Sequence, residues 1–215
     1  MAKVFLTAGH GGNDPGATGN NLVEKEINLA VMLECKRVLE EHGVTVICSR
    51  TKDENDSVYE EVKEANASGA DFAFSIHTNA GGGDGFEVFY YTTNDKAKKL
   101  AALAEKYTKE LGQNSRGLKS GNHLYFIKNT KITAVLVENF FIDNAKDKAI
   151  GDTLAEQKAF GVAYAKAILE YLGITYGPSN TIYRVQVGAY RQKSNAEAMK
   201  QKLKNAGFEA IIVKA

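Results

Sequence analysis

Short apolar runs and longer periodic ones alternate along the first 172 residues. Val4–Ala8, Val44–Ser49, Asp71–Ile76, Phe86–Tyr91, Leu124–Ile127 and Ala134–Val137 are rich in β-branched and aromatic residues, which predicts strands. The stretches at about 22–42, 56–68, 95–111 and 152–172 predict helices. In the first of these, Ile27, Ala30, Val31, Cys35, Val38 and Leu39 fall at offsets 0, 3, 4, 8, 11 and 12. That spacing makes one apolar stripe, and His42-Gly43 then stops the helix with a glycine. Such alternation predicts an α/β sandwich.

Beyond Tyr171-Leu172-Gly173 the pattern changes. Residues 173–180 carry Pro178, one of the chain's two prolines, and read as a linker. Thr181–Tyr190 alternates as a strand, Ser194–Ala206 is helical with Ala198, Met199, Leu203 and Ala206 on one side, and Glu209–Lys214 reads as a strand after Gly207. The expected organisation is therefore a main domain over 1–172, a linker over 173–180 and a short β-α-β appendage over 181–215. An appendage of that size is below what usually folds alone.

Composition narrows the function classes. The 215 residues carry 27 Lys and Arg against 26 Asp and Glu, a net charge of +1, which predicts no electrostatic capture of nucleic acid or an anionic membrane. Met1-Ala2-Lys3-Val4-Phe5-Leu6 enters a strand at once, without the apolar run of a signal peptide, and no stretch approaches the roughly 18 residues of a membrane span. The expectation is cytoplasmic synthesis and no membrane insertion. Cys35 and Cys48 are too few for a disulfide framework and read as reduced core thiols.

Candidate chemistry lies where the strands end. Thr7-Ala8-Gly9-His10-Gly11-Gly12 puts a histidine after an apolar strand and breaks the backbone with glycines, and Phe74-Ser75-Ile76-His77-Thr78-Asn79 ends a second strand in the same way. With Glu24 at the head of the first helix, these are two imidazoles and a carboxylate, the ligand types of a catalytic zinc with one position left for water. The 13 and 52 intervening residues exclude a compact helical HExxH site, so tertiary structure must assemble the set. Taken singly, Asn21 and Glu24 also fit a variant capping box, His10 a turn and His77 a hydrogen-bonded core position. Glu138, at the end of Thr133–Val137, is costly there unless it meets a metal, a donor or a substrate.

In order and spacing, Gly9-His10-Gly11-Gly12, Glu24-Lys25 with Leu29, Ser75-Ile76-His77-Thr78-Asn79 and Ala134-Val135-Leu136-Val137-Glu138-Asn139 resemble the zinc-dependent N-acetylmuramoyl-L-alanine amidases of bacterial cell-wall lysis (amidase type 3), over residues 3 to 172. The resemblance implies a twisted, mostly parallel sheet with helices on both faces and the site at the strands' carboxyl ends. It further implies one Zn2+ per chain held by His10, Glu24 (rather than Glu26) and His77. Glu138 would take a proton from the attacking water and return it to the leaving amine. The bond cut would join the lactyl carbonyl of N-acetylmuramic acid to the L-alanine of the stem peptide. Arg50 matches a family arginine and is open to a substrate-binding or a structural role, Asn79 is open to reaching substrate or holding the His77 loop, and Asn66, in the Ala65-Asn66 pair that the family shares, is expected to brace loops.

One departure is visible: where the family has an arginine upstream of Ala65-Asn66, this chain has Glu61 and Lys63. His42 and His123 read as bystanders, and Gly81-Gly82-Gly83-Asp84-Gly85 as a flexible rim. Tyr183–Tyr190, Asn195-Ala196-Glu197 and Gly207-Phe208 resemble the first half of a sporulation-related (SPOR) repeat, which implies denuded glycan as a ligand of the tail. Together these imply a peptidoglycan hydrolase of the endolysin or mother-cell autolysin type, acting on the wall after release. The alternatives are a zinc peptidase on a stem-peptide bond and a non-catalytic wall-binding protein.

Overall fold

A computed structural model describes residues 2–178 and 186–214. In chain order the elements are β1 (Lys3–Ala8), β2 (Thr18–Gly19), β3 (Leu22–Val23), α1 (Glu24–Glu41), β4 (Thr45–Cys48), α2 (Val58–Ala67), β5 (Phe72–Asn79), β6 (Phe86–Tyr90), α3 (Asp95–Lys109), β7 (Ser115–Ser120), α4 (Tyr125–Asn129), β8 (Thr133–Phe141), α5 (Ala145–Lys148), α6 (Leu154–Leu172) and α7 (Lys193–Asn205). Six strands form one sheet in the order β4-β1-β5-β8-β6-β7. Within this sheet every pairing is parallel except β6 with β8.

Strand alternation splits the core into two layers. Val4, Leu6, Phe72, Phe74, Ile76, Val135 and Val137 point to the face covered by α1, α3 and α6. Phe5, Ala73 and Leu136 point the other way, onto Val62 and Ala65 of α2 and Phe126 and Ile127 of α4. The α1 stripe is buried as expected at Ile27, Val31, Cys35, Val38 and Leu39, and α6 starts on a capping box of Thr153 and Glu156. Both cysteines are free thiols, and burial pushes each above its usual pKa. No described helix is long and apolar enough to cross a membrane.

Several expectations are corrected. Leu124–Ile127 is not a strand: Leu124 bonds back to Gly121 and Lys128 to Leu124, so the run opens α4 and buries Phe126 and Ile127 side by side. A four-residue apolar run carries no period to decide between helix and strand. The sheet's sixth strand is instead β7, whose polar sequence SRGLKS suits an edge. Asn20 and Asn21, at φ 52 and 64, turn the short β2–β3 hairpin, so Asn21 is no helix cap; α1 has no side-chain cap.

The chain divides into two compact units, Met1–Asn180 and Thr181–Ala215. The stretch expected to be a linker is packed through Gly177: Ile174 joins the main core, Tyr176 stacks on His42 at 5.4 Å, and His42 Nε2 lies 3.1 Å from the Gly177 carbonyl. In the second unit α7 forms, but residues 186–190 and 208–214 are not strands. A lone β-α-β piece offers no ladder to hold them. The first half of the strand expected at Thr181–Tyr190, including Tyr183 and Arg184, lies outside the described residues.

Candidate active site

Parallel pairing brings the carboxyl ends of β1, β5 and β8 together. Register then places His77 opposite Glu138 across β5 and β8, and Glu138 opposite Glu87 across β8 and β6. These three side chains share the sheet face that carries Leu136. His10 follows the end of β1 with φ 65, and Glu24 is the first residue of α1. The glycines make room: a Cβ on Gly9 would lie 2.0 Å from His77 Cε1, and one on Gly16 would lie 2.7 Å from both Glu24 Oε2 and His10 Cδ2.

The three residues form a compact donor set. Glu24 Oε1 lies 3.3 Å from His10 Nε2 and 3.2 Å from His77 Nδ1, and one ligand atom from each residue falls within 4.8 Å of the others. The His10 and His77 rings meet edge to face at 5.2 Å. Two imidazole nitrogens and a carboxylate oxygen at this spacing fit a divalent metal. Among the described residues, Glu138 Oε2 is buried without a hydrogen-bond partner, as befits a carboxylate awaiting a substrate or water.

The electrostatics follow from burial and charge pairing. The bond to Glu24 holds His10 up at about 9, with Asp14 adding to it. Burial opposes charge on His77, but the Glu24 bond and the charges of Glu138, Glu24 and Glu61 outweigh it and raise its pKa. Burial also opposes charge on Glu24, yet bonds to both imidazoles and the Ala17 N–H hold it well below the usual carboxylate range. Glu138 has no such donors, and burial pushes it up to about 7. The two glutamates are thus driven apart: one stays ionised, the other is poised to move protons near neutral pH.

A second layer of polar residues fixes the first. Asp14 Oδ2 lies 2.8 Å from His10 Nδ1, which leaves Nε2 to face Glu24. Glu24 Oε1 accepts from Thr78 N and Asn28 Nδ2, and Oε2 from Ala17 N. Sequence reasoning assigned no role to Asp14, Asn28, Thr78 or Asn139. The usable signal was Asn28, a polar residue inside the apolar face of α1, one turn after Glu24.

The remaining expectations divide. Arg50 is fully buried and donates to the carbonyls of Ala8, Gly9, Lys25 and Lys52, so it pins the His10 loop. Asn79 spends its side chain on Glu87 and Ala80 N, holding the strand end. Asn66 braces α2 to the loop at Asn129 and Lys131. Glu61 is buried and accepts from Thr7 Oγ1. The glycine run is pinned rather than free: Gly81 N and Gly82 N donate to Asp143, Gly85 N donates to Asp147, and the Gly83 carbonyl accepts from Asn144. Glu26 is exposed, and His42 and His123 lie outside the donor set.

A cleft of about 640 Å³ opens over the donor set, lined by His10, His77, Asn55, Asp56, Glu60 and Glu61 among others. A hollow of about 530 Å³ near the start of α3 contains none of the candidate residues.

Residues 4–170 match the family described as N-acetylmuramoyl-L-alanine amidase, and residues 170–215 match the SPOR domain. The chain is 34% identical to a sporulation-specific N-acetylmuramoyl-L-alanine amidase of Bacillus subtilis, over 99% of this chain and 85% of that one. It is 36% identical to an endolysin of Bacillus phage SPP1, over 81% of this chain and 68% of that one. Among solved structures, the catalytic domain of CwlV, an N-acetylmuramoyl-L-alanine amidase of Bacillus (Paenibacillus) polymyxa, superposes with a TM-score of 0.75 at 31% identity, covering 81% of this chain and all of that one.

Proposed function

Because the chain belongs to the N-acetylmuramoyl-L-alanine amidase family, we propose that His10, Glu24 and His77 hold one zinc ion and that Glu138 moves the protons of the reaction. The protein is a peptidoglycan hydrolase: it cleaves the amide between the lactyl carbonyl of N-acetylmuramic acid and the L-alanine of the stem peptide. The observation that carries the site is the pairing of a three-donor set with the unpartnered Glu138 Oε2, directly opposite His77 on the neighbouring strand.

Bound there, zinc supplies a Lewis acid that acidifies water and polarises the amide carbonyl. The chain's own residues do the rest. Asp14 accepts from His10 Nδ1 and so aims Nε2 inward. Glu24, held ionised by its donors, supplies the negative charge that two neutral imidazoles lack. Glu138 sits beyond this set with a free oxygen and a pKa near that of its task, accepts the proton of the attacking water, and returns it to the alanine nitrogen as the C–N bond breaks. Proton bookkeeping closes on one carboxyl group.

We read residues 181–215 as a partial SPOR segment that adds affinity for denuded glycan. Mass spectrometry of digested sacculi tests the activity. Free lactyl carboxyl groups and new alanine amino termini are expected, with loss of lysis on chelation and recovery with zinc. A different new amino terminus would make the protein a stem-peptide peptidase, and full activity in metal-free protein would overturn the metal assignment.

A further inference from the structure

The row His77, Glu138, Glu87 continues one strand further, onto β7. Pairing of β6 with β7 shifts between Phe86 and Val88: two steps on β6 match three on β7, from Ser115 to Leu118. Arg116 and Gly117 therefore both oppose Glu87, with Gly117 at φ 86, a bulge of the kind that re-aims a side chain. Arg116 Nε donates to Glu87 Oε1 at 2.5 Å, and Lys119 Nζ lies 3.0 Å from the same oxygen. The Glu87 side chain is 8% exposed, whereas those of Arg116 and Lys119 are 41% and 35% exposed.

Glu87 can neutralise only one of these cations. Among the described residues the Nη groups of Arg116 make no hydrogen bond, and its half-exposed guanidinium lies 5.2 Å from the Phe141 ring centre. On the opposite flank of Glu138 the cleft is acidic, lined by Asp14, Asp56, Glu60 and Glu61 with no Lys or Arg among its walls. An anionic substrate group beyond the metal site therefore finds no Lys or Arg on the His10 side and two cations on the β7 side. Strands lie roughly 5 Å apart, so β7 stands about 10 Å from β8. That distance spans two to three residues of extended peptide.

We propose that Arg116 and Lys119 bind a carboxylate of the stem peptide, carried two or three residues beyond the scissile amide, with the uncharged sugar over the acidic flank. This rests on the amidase reading. It makes the β7 edge a specificity element beside the cleft: Arg116 supplies its two unspent Nη groups and Lys119 a second positive charge, while Glu87 holds both in place.

The test uses the zinc-loaded full chain and three soluble N-acetylmuramoyl peptides: a parent with free carboxylates on its second and third residues, and two derivatives with one or the other converted to a carboxamide. One carboxamide should lower kcat/KM by roughly 10- to 100-fold, chiefly through KM. Arg116→Gln and Lys119→Gln should each compress that ratio toward unity, with Arg116→Lys recovering part of it. A misfolded fraction lowers all three substrates alike and leaves the ratio unchanged. Equal kcat/KM for all three in the native chain, or a full ratio persisting in both Gln variants, overturns the carboxylate site while leaving the amidase reading intact. No turnover of any of them overturns the amidase reading, and the inference with it.

Discussion

Tyr164 donates its hydroxyl to Asn139 Oδ1 at 2.6 Å, tying α6 to the residue after Glu138. From there the donors run in one direction: Asn139 Nδ2 to Thr78 Oγ1 at 3.0 Å, Thr78 Oγ1 to Asn28 Oδ1 at 2.8 Å, and Asn28 Nδ2 to Glu24 Oε1 at 3.2 Å. Four elements are thereby registered against one carboxylate, with every link buried. Tyr164→Phe leaves the Asn139 oxygen unpaired and should destabilise the fold by about 1–3 kcal/mol in denaturant titration. Asn28→Ala removes the link next to Glu24 and should also weaken zinc affinity by roughly 10- to 100-fold in competition with a chelator. Unchanged zinc affinity in Asn28→Ala would show the chain to be structural only.

Glu24 and Glu138 are separated by environment, so their variants should fail differently. Glu138→Gln keeps the three donors and should retain one zinc per chain, yet lose about 10² to 10⁴ in kcat, because no group remains to carry the proton. Glu24→Ala should lose zinc and, with it, activity. Metal analysis beside steady-state turnover distinguishes them. A Glu138→Gln protein that sheds zinc, with Glu24→Ala retaining both zinc and activity, would exchange the two roles.

Metal-free protein should lose stability as pH rises. His10 is held at about 9 against an ordinary 6.5, and His77 is raised as well. A raised folded pKa contributes stability that is full below 6.5 and is lost as pH climbs through about 9. Glu24 acts in the opposite sense but below this window: its depressed pKa contributes above 4.5 and is lost only in acid. Zinc competes with protons for both imidazoles, so the loaded protein should gain where the metal-free one loses. Thermal midpoints with and without zinc should therefore diverge between pH 6.5 and 9. Parallel curves would show that the imidazoles do not bind the metal.

Much of this was legible in the chain because period and position carried it. The α1 stripe, the apolar β1, β5 and β8, and the placement of His10 and His77 near the carboxyl ends of their strands follow from alternation and glycine breaks, whereas Glu138 lies inside β8, which runs on past the expected end at Val137 to Phe141. What escaped has one physical character: it depends on partners distant in sequence. The polar β7 is a strand only because β6 offers a ladder, and Leu124–Ile127 is helical because two adjacent apolar residues meet the α2 face. Arg50 stayed open between substrate binding and bracing until the fold brought it the carbonyls of Ala8, Lys25 and Lys52. The Thr78–Asn139 link joins residues 61 apart, a distance at which no local pattern speaks.

The boundary of the catalytic unit yields the last prediction. Gly173, at φ 73, caps α6, and Ile174 N returns to the Leu169 carbonyl at 2.8 Å, so the helix end continues past Leu172. Tyr176 stacks on His42, with Lys166 Nζ 5.1 Å from its ring centre. All proposed site residues precede this strap. A chain stopped after Pro178 should therefore fold, bind zinc and turn over soluble muropeptides much as the full chain does, with binding to intact walls falling if the SPOR segment engages glycan. A chain stopped after Leu172 loses the apolar contact of Ile174 and the Tyr176 stack, and should be destabilised by about 1–3 kcal/mol while keeping its zinc site. Thermal melts with and without zinc, read beside turnover on soluble substrate, check both truncations. If the chain ending at Pro178 cannot fold, the second unit is part of the catalytic core.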